Sequence, residues 1–386
     1  MSAPAQSAQA ASASSSTPAL RVVAIGGGTG LSTLLRGLKR YVPAPIGSRR
    51  ATDLAHRLAP AAPPHQPDRP IEAVLAQHCL IRDLAAIVTV TDDGGSSGRL
   101  REDLNMLPPG DIRNCMVALS EDEHLLARLF QYRFNQGDLE GHSFGNLFVA
   151  ALSGITGDFA QAVQMSSQIL AARGRIYPAT TSDVTLAARM DDGSLVEGET
   201  NITASPHRIV ELMLSPASAE PLPATLEAIA GADLITIGPG SLYTSLITNL
   251  LVRGIPEAIA ASRATRVYVG NLMTQANESL GLTASQHIEK ILQHCGSRSA
   301  HAGIFDYALI NTAPISPTLL EKYAREGQCP IEPDLDRIRA LGVEPVPGGF
   351  AHEGSVLRHD YDRVTEALLK LALARRNRPA PSRAAL

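Results

Sequence analysis

The chain reads as an α/β protein, a Rossmann-like, doubly wound, mostly parallel sheet with helices on both faces and a small antiparallel sub-element. Three observations predict this class. Apolar, β-branched runs recur along the sequence, and each stops at a loop of Gly, Ser, Thr, Asp or Asn. Several of those loops open a helix-period pattern, and repeated strand, loop and helix units build parallel sheets covered on both faces. The 386 residues are 44% hydrophobic and 19% charged, which supplies a sizeable core and lies far from the composition of a disordered chain.

Arg21 to Ile25 is the first strand; it ends at Gly26-Gly27-Gly28-Thr29-Gly30, after which Leu31, Leu34, Leu35 and Leu38 recur at helical spacing. Residues 43–70 turn to Pro, Ala, Arg and His without a steady period, the mark of a surface insertion. Leu84 to Val90 is the next strand, closed by Thr91-Asp92-Asp93-Gly94-Gly95-Ser96-Ser97-Gly98. Arg113 to Leu119 and Glu121 to Phe134 read as helices, the second with Leu125, Leu126, Leu129 and Phe130 on one apolar face. Gly141-His142-Ser143-Phe144-Gly145-Asn146 opens another apolar helix at Leu147, and a further helix covers Phe159 to Ala172. Ile176 to Pro178, Val184 to Met190 and Leu195 to Ile202, around an Asp191-Asp192-Gly193 turn, read as an antiparallel piece over residues 176–215. Ala232 to Ile237 then restarts the parallel pattern, followed by Gly238-Pro239-Gly240-Ser241 and a helix from Leu242 to Val252. Arg266 to Val269 is a buried strand ending in Gly270 to Gln275; an amphipathic helix (Ala284 to Cys295) and a strand (Tyr307 to Ile310) complete the series. One domain thus spans 21–372, between a solvated Ala/Ser/Gln tail (1–20) and a basic tail (373–386).

Composition excludes several function classes. The net charge of −4 gives no global positive field for nucleic acid or an anionic membrane, so phosphate recognition must be local. With no Trp and 4% aromatic residues, stacking platforms and interfacial belts lack material. Gly238 to Ser241 interrupts the longest charge-free run, which is therefore no membrane span. The four cysteines are far apart and form no Cys-x-x-Cys pair. They read as reduced thiols in a cytoplasmic protein, and the N-terminus lacks the basic and apolar regions of a signal peptide.

Four strand ends carry the chemistry. In an open parallel sheet their loops share the carboxyl edge, where such folds bind ligands, and they should converge on one cleft. Gly27, Gly28, Thr29 and Gly30 leave backbone N–H groups at a helix start, which suits a phosphate; tight strand–helix packing demands the same glycines. Their spacing departs from the dinucleotide fingerprint. Asp92 and Asp93 could bind Mg²⁺, accept from sugar hydroxyls or act as a base, or simply cap the turn, and Ser96 is equally open. Asp111 reads as an N-cap, with Arg113 and Asn114 either reaching a phosphate or base edge or facing solvent. His142, with Asn146 nearby, is an acid–base candidate or a structural histidine. Gly238, Gly240 and Ser241 again offer N–H groups, with Ser241 a candidate cap.

Together, the glycine loop at 26–30, the Asp-Asp-Gly-Gly-Ser-Ser-Gly loop, Gly-Asp-Ile-Arg-Asn at 110–114, the 141–147 segment, Gly-Pro-Gly-Ser-Leu-Tyr-Thr-Ser at 238–245 and Asn-Leu-Met-Thr-Gln at 271–275 closely resemble the YvcK/CofD-like family. That family has two branches: gluconeogenesis factors that bind UDP-N-acetylglucosamine, and 2-phospho-L-lactate transferases that use a guanylyl donor with Mg²⁺. The 271–275 signature resembles the first branch. This resemblance implies a cytoplasmic nucleotide-sugar sensor supporting cell-wall precursor supply and cell shape during gluconeogenic growth. It also implies a regulatory protein partner in amino-sugar or cell-wall metabolism, a homodimer, and ligand contacts from Asn271, Thr274, Tyr323 and Arg358. Mg²⁺ at Asp92 belongs to the transferase alternative, with Asp92 and Asp93 as its catalytic pair. Thr248-Asn249-Leu250 and Ala276-Asn277-Glu278-Ser279 depart from the family's Pro-Asn-Leu and Pro-Gly-Glu-Thr.

Overall fold

A computed structural model of the chain describes residues 19–43, 80–121, 125–276, 278–296 and 303–376. The 43–70 insertion lies outside these residues apart from Pro43, as does the N-terminal tail up to residue 18. Seven parallel strands form the central sheet: β1 (Leu20–Gly26), β2 (Ile81–Val88), β3 (Arg175–Pro178), β7 (Leu234–Ile237), β8 (Thr265–Val269), β9 (Tyr307–Asn311) and β10 (Glu344–Gly348). Their order is β10-β9-β8-β7-β1-β2-β3. A separate three-stranded antiparallel sheet contains β4 (Thr185–Met190), β5 (Leu195–Glu197) and β6 (Ile209–Ser215), and β11 (Ala351–Glu353) pairs with β12 (Leu357–His359) as a small hairpin.

The strand order has one reversal. From β1 the chain winds outward through β2 to β3, and from β7 it winds the other way through β8 and β9 to β10. The switch point therefore lies between β1 and β7, and the loops after these two strands part in opposite directions and leave a crevice. The strands are continuous apolar runs because helices cover both faces: Val22 to Ile25 and Leu234 to Ile237 are wholly buried. On one face, Leu31, Leu34, Leu35 and Leu38 of the Gly28–Lys39 helix meet the Gly110–Leu119 helix and the C-terminal Tyr361–Arg376 helix. Gly37 permits that last contact, since a Cβ there would stand 2.6 Å from the Tyr361 carbonyl oxygen. Among the described residues, no helix is long and apolar enough to cross a membrane.

Several sequence expectations need correction. Ile176 to Pro178 belongs to the parallel sheet as edge strand β3, because its carbonyl and N–H ladder pairs with β2; the antiparallel piece starts only at Thr185. The run after Leu195 is strand only to Glu197, and Glu199–Ala204 is a helix. In the Leu125–Gln131 helix, Phe130 is buried against Phe144 and Phe148 while Leu125 and Leu129 are exposed, so the apolar face is narrower than the leucine spacing suggests. The basic tail starts later than residue 373, since Leu373 is buried in the C-terminal helix, which runs to Arg376.

Candidate functional site

The site starts where β1 ends. Gly27 occupies the N-cap of the Gly28–Lys39 helix, and Gly28 takes φ +59°, a left-handed conformation in which a side chain would be strained. The loop after β7 repeats this device, with Gly238 at φ +87°. These two turns touch: a Cβ on Gly30 would run into the Pro239 carbonyl, 2.7 Å from its carbon, and one on Gly27 would meet Thr89, Asp111 and Ser245. Only glycine lets the two backbones approach so closely, which leaves the helix start open to an anionic guest.

Across from this wall stands the Gly270–Gln275 segment after β8, and above it the β11–β12 hairpin and the Pro317–Ala324 helix. Together they enclose a cleft of about 390 Å³. Gly27, Gly28, Thr29 and Gly30 line it with Gly240, Ser241, Asn271, Thr274, Tyr323 and Arg358. Arg358 is exposed on β12, where a guanidinium can reach a phosphate by two parallel hydrogen bonds. Tyr323 is held in place: its hydroxyl accepts from the Leu357 N–H at 2.9 Å. Thr274 is tied to the loop after the Pro317–Ala324 helix, donating its N–H to the Cys329 carbonyl and accepting the Cys329 N–H at its hydroxyl. Ser241 stands at the N-cap of the π-helical turn Leu242–Ile247 without capping it, and its hydroxyl accepts from Gln275 Nε2 at 2.9 Å. Glu278 does the capping instead, accepting from the Tyr243 N–H and the Thr244 hydroxyl.

The remaining sequence candidates gather on the β2 side of Gly27. Ser96 lies 3.1 Å from His142 Nδ1 and accepts from Asn146 Nδ2. Arg113 donates to the Ser143 hydroxyl and to Asn114 Oδ1, both at 2.7 Å. Asp92 accepts from the Gly94 N–H at 3.0 Å, closing its own turn, whereas Asp93 faces away to hold the Thr200 N–H and hydroxyl. Adjacency in sequence thus does not make Asp92 and Asp93 a chelating pair. Mg²⁺ takes about six oxygens, so with Asp92 alone the rest of such a shell would be waters and phosphate oxygens. Among the described residues, the three acidic or histidine side chains with ligand atoms within 4.8 Å of one another are Asp191 and Asp192 of the exposed β4–β5 turn and His207 just before β6, and not a set containing Asp92.

Two carboxyls here have unusual acidity. Asp111 is not the N-cap, which is Pro109; from the first turn of its helix it reaches across to the Gly28 N–H. Burial, then the nearby Asp92 charge, raises its pKa to about 6. Glu199, read in the sequence as part of a strand, enters from the Glu199–Ala204 helix and accepts from the Thr91 hydroxyl. Burial first, then Asp92 and Asp111, pushes it up to about 9. Arg113 and His142 are pushed down by burial, with Arg133 and Arg99 adding to it. The site therefore has a half built of glycine turns at the switch point and an acidic half under β2, joined at Gly27 and Asp111. Glu199, Glu278 and Gln275 are the residues that sequence reasoning missed. Glu199 and Glu278 each sit between small polar residues with no periodic signal, and Gln275 closes a motif without being singled out.

The profile of the family described as 2-phospho-L-lactate transferase CofD matches residues 22–350, which include both glycine turns and the acidic half. This chain belongs to the CofD family. Within it, the chain is 44% identical over 351 residues to a protein named gluconeogenesis factor from Halalkalibacterium halodurans, covering 90% of this chain and 95% of that one. It is 42% identical over 353 residues to the gluconeogenesis factor of Bacillus subtilis, covering 91% and 98%. The crystal structure of a UPF0052 family member from Bacillus halodurans superposes with a TM-score of 0.78 at 44% identity, over 91% of this chain and 99% of that one. The seven-stranded α/β architecture is thus the CofD-family fold.

Proposed function

We propose that this CofD-family protein is a gluconeogenesis factor that binds UDP-N-acetylglucosamine at the switch point and reports its level, in the cytoplasm, to a protein of amino-sugar or cell-wall metabolism. In this reading it supports cell-wall precursor supply and cell shape during growth on gluconeogenic carbon. The observation that carries it is the meeting of two glycine turns from β1 and β7 in one cleft roofed by Tyr323 and Arg358. A diphosphate between the turns would face backbone N–H groups, the positive end of a helix and one exposed guanidinium. Titration calorimetry with UDP-N-acetylglucosamine should give saturable binding. Arg358→Ala should weaken it by about tenfold, the scale of one charge-assisted contact. Absence of heat with the wild-type protein at millimolar ligand contradicts the reading.

The acidic half supports a second reading, a 2-phospho-L-lactate transferase-like enzyme using a guanylyl donor. Carboxyls raised as far as Glu199 and Asp111 are candidates for proton transfer near neutral pH. Turnover of a guanylyl-activated phospholactate with a deazaflavin acceptor and Mg²⁺ decides between the two, since the sensor reading expects binding without product.

A further inference from the structure

Beside the cleft, at the carboxyl ends of β8 and β9, lies a second cavity of about 310 Å³. The two share Asn271 and Leu272 as a common wall. The second cavity is otherwise mostly aliphatic, walled by Ile310, Leu320, Ile331, Pro314 and Pro333. Three of its residues nevertheless carry a buried polar atom with no hydrogen-bond partner: the Tyr268 hydroxyl, Asn271 Oδ1 and His287 Nε2. His287 Nδ1 lies 2.9 Å from the Thr283 carbonyl, which can only accept, so the proton sits on Nδ1 and Nε2 presents a lone pair. Burial pushes the His287 pKa down and keeps the ring neutral. Asn271 Oδ1 and His287 Nε2 are therefore acceptors, whereas the Tyr268 hydroxyl can also donate. Left unpaired, each costs on the order of 1–3 kcal/mol, so their retention in an apolar wall calls for a guest that both donates and accepts.

We propose that this cavity receives the pyrimidine base of the nucleotide and that Asn271 reads the base's hydrogen-bonding edge. The inference rests on the nucleotide-sugar reading of the adjoining cleft and extends it. Aliphatic and prolyl walls suit the faces of a flat ring, and a few fixed polar groups suit its rim. An amide offers an acceptor beside donors, which complements the N3–H and O4 of uracil; the N1–H and N2–H edge of guanine is all donor and calls for a carboxylate. The placement also gives the ligand a direction along the sheet. The base lies over β8 and β9, the diphosphate between β7 and β1, and the sugar reaches toward Asp111 and His142 under β2. Asn271 is then a specificity-determining residue that selects uridine over guanosine.

Calorimetry on the full chain with UDP, UDP-N-acetylglucosamine, GDP and inorganic pyrophosphate tests this. Asn271→Asp should weaken UDP about tenfold and tighten GDP, narrowing or reversing the preference. Ala284→Leu, which enlarges a residue of the cavity wall, should weaken UDP while pyrophosphate binding is kept; thermal melting checks that both variants fold, and Asn271→Asp carries the test if Ala284→Leu does not. Wild-type preference of UDP over GDP in Asn271→Asp overturns the inference. So does an Ala284→Leu protein that loses affinity for UDP-N-acetylglucosamine but not for UDP, since the cavity would then hold the acetylated sugar. Failure of the wild-type chain to bind any uridine nucleotide removes the parent reading, a result distinct from either.

Discussion

At the scale of single residues, the site is set by what cannot be larger and by what cannot be charged. Gly30 has the Pro239 carbonyl where a side chain would begin. Gly30→Ala should therefore cost about 1–3 kcal/mol of stability, the usual range for overpacking, and weaken nucleotide binding because the two turns must part. Thermal denaturation and calorimetry on the same sample check both effects, and unchanged values for both contradict the geometry. Glu199 is the charge that the fold resists. Its folded pKa of about 9 lies above the ordinary 4.5 of an unfolded chain, so the neutral form's contribution is present below about pH 4.5 and lost as pH rises toward 9. Glu199→Gln keeps the shape without the charge. Denaturant midpoints at pH 5, 7 and 9 should show the variant gaining on the wild type as pH rises, with a residual slope from Asp111 and Glu278, which are raised as well. Parallel curves for the two proteins would show that Glu199 stays ionised throughout.

At the scale of elements, the C-terminal Tyr361–Arg376 helix packs against the glycine-turn helix while none of its own residues lines the cleft. It buries Val364, Leu368, Leu369 and Leu373, and its Arg375 pairs with Asp306, which also holds Arg266. Leu368 is wholly buried, so Leu368→Ala should destabilise by about 2–5 kcal/mol while leaving the affinity of the folded protein for UDP-N-acetylglucosamine unchanged. A melt and a titration below the transition separate the two effects; a lower melting point with a weakened Kd would mean the helix also shapes the site. This helix was not legible in the sequence reading, nor were β10 to β12. β10 contains Pro345 and Pro347, which read as loop yet are tolerated on an edge strand whose outer N–H groups need no partner. β3 was misplaced for a related reason: four residues carry too little period to reveal whether their partner is parallel. What was legible was the series of buried strands, because both faces of a parallel sheet demand apolar residues and such runs are hard to mistake.

For the molecule as a whole, convergence of the strand-end loops could be anticipated from topology alone, since parallel strands deliver all their loops to one edge. Less could be anticipated about how those loops divide. Both Asp92 and Gly28 lie at that edge, yet the acidic residues and the glycine turns occupy different halves, because β2 stands on one side of the switch point and β7 on the other. Glu199 reaches the acidic half from a helix beside the antiparallel sheet, a contact that no local pattern in the chain encodes. This division yields a spatial prediction. Hydrogen exchange with and without UDP-N-acetylglucosamine should show protection in four separated segments: 26–31, 239–245, 270–275 and 357–359. All four border the cleft, and their backbone amides include those expected to meet the diphosphate. The antiparallel strands β4 to β6 should exchange at the same rate in both states, since none of their residues lines the cleft. Protection at 270–275 without protection at 26–31 would place the ligand in the aliphatic cavity alone, and protection centred on β4 to β6 would move it off the switch point altogether.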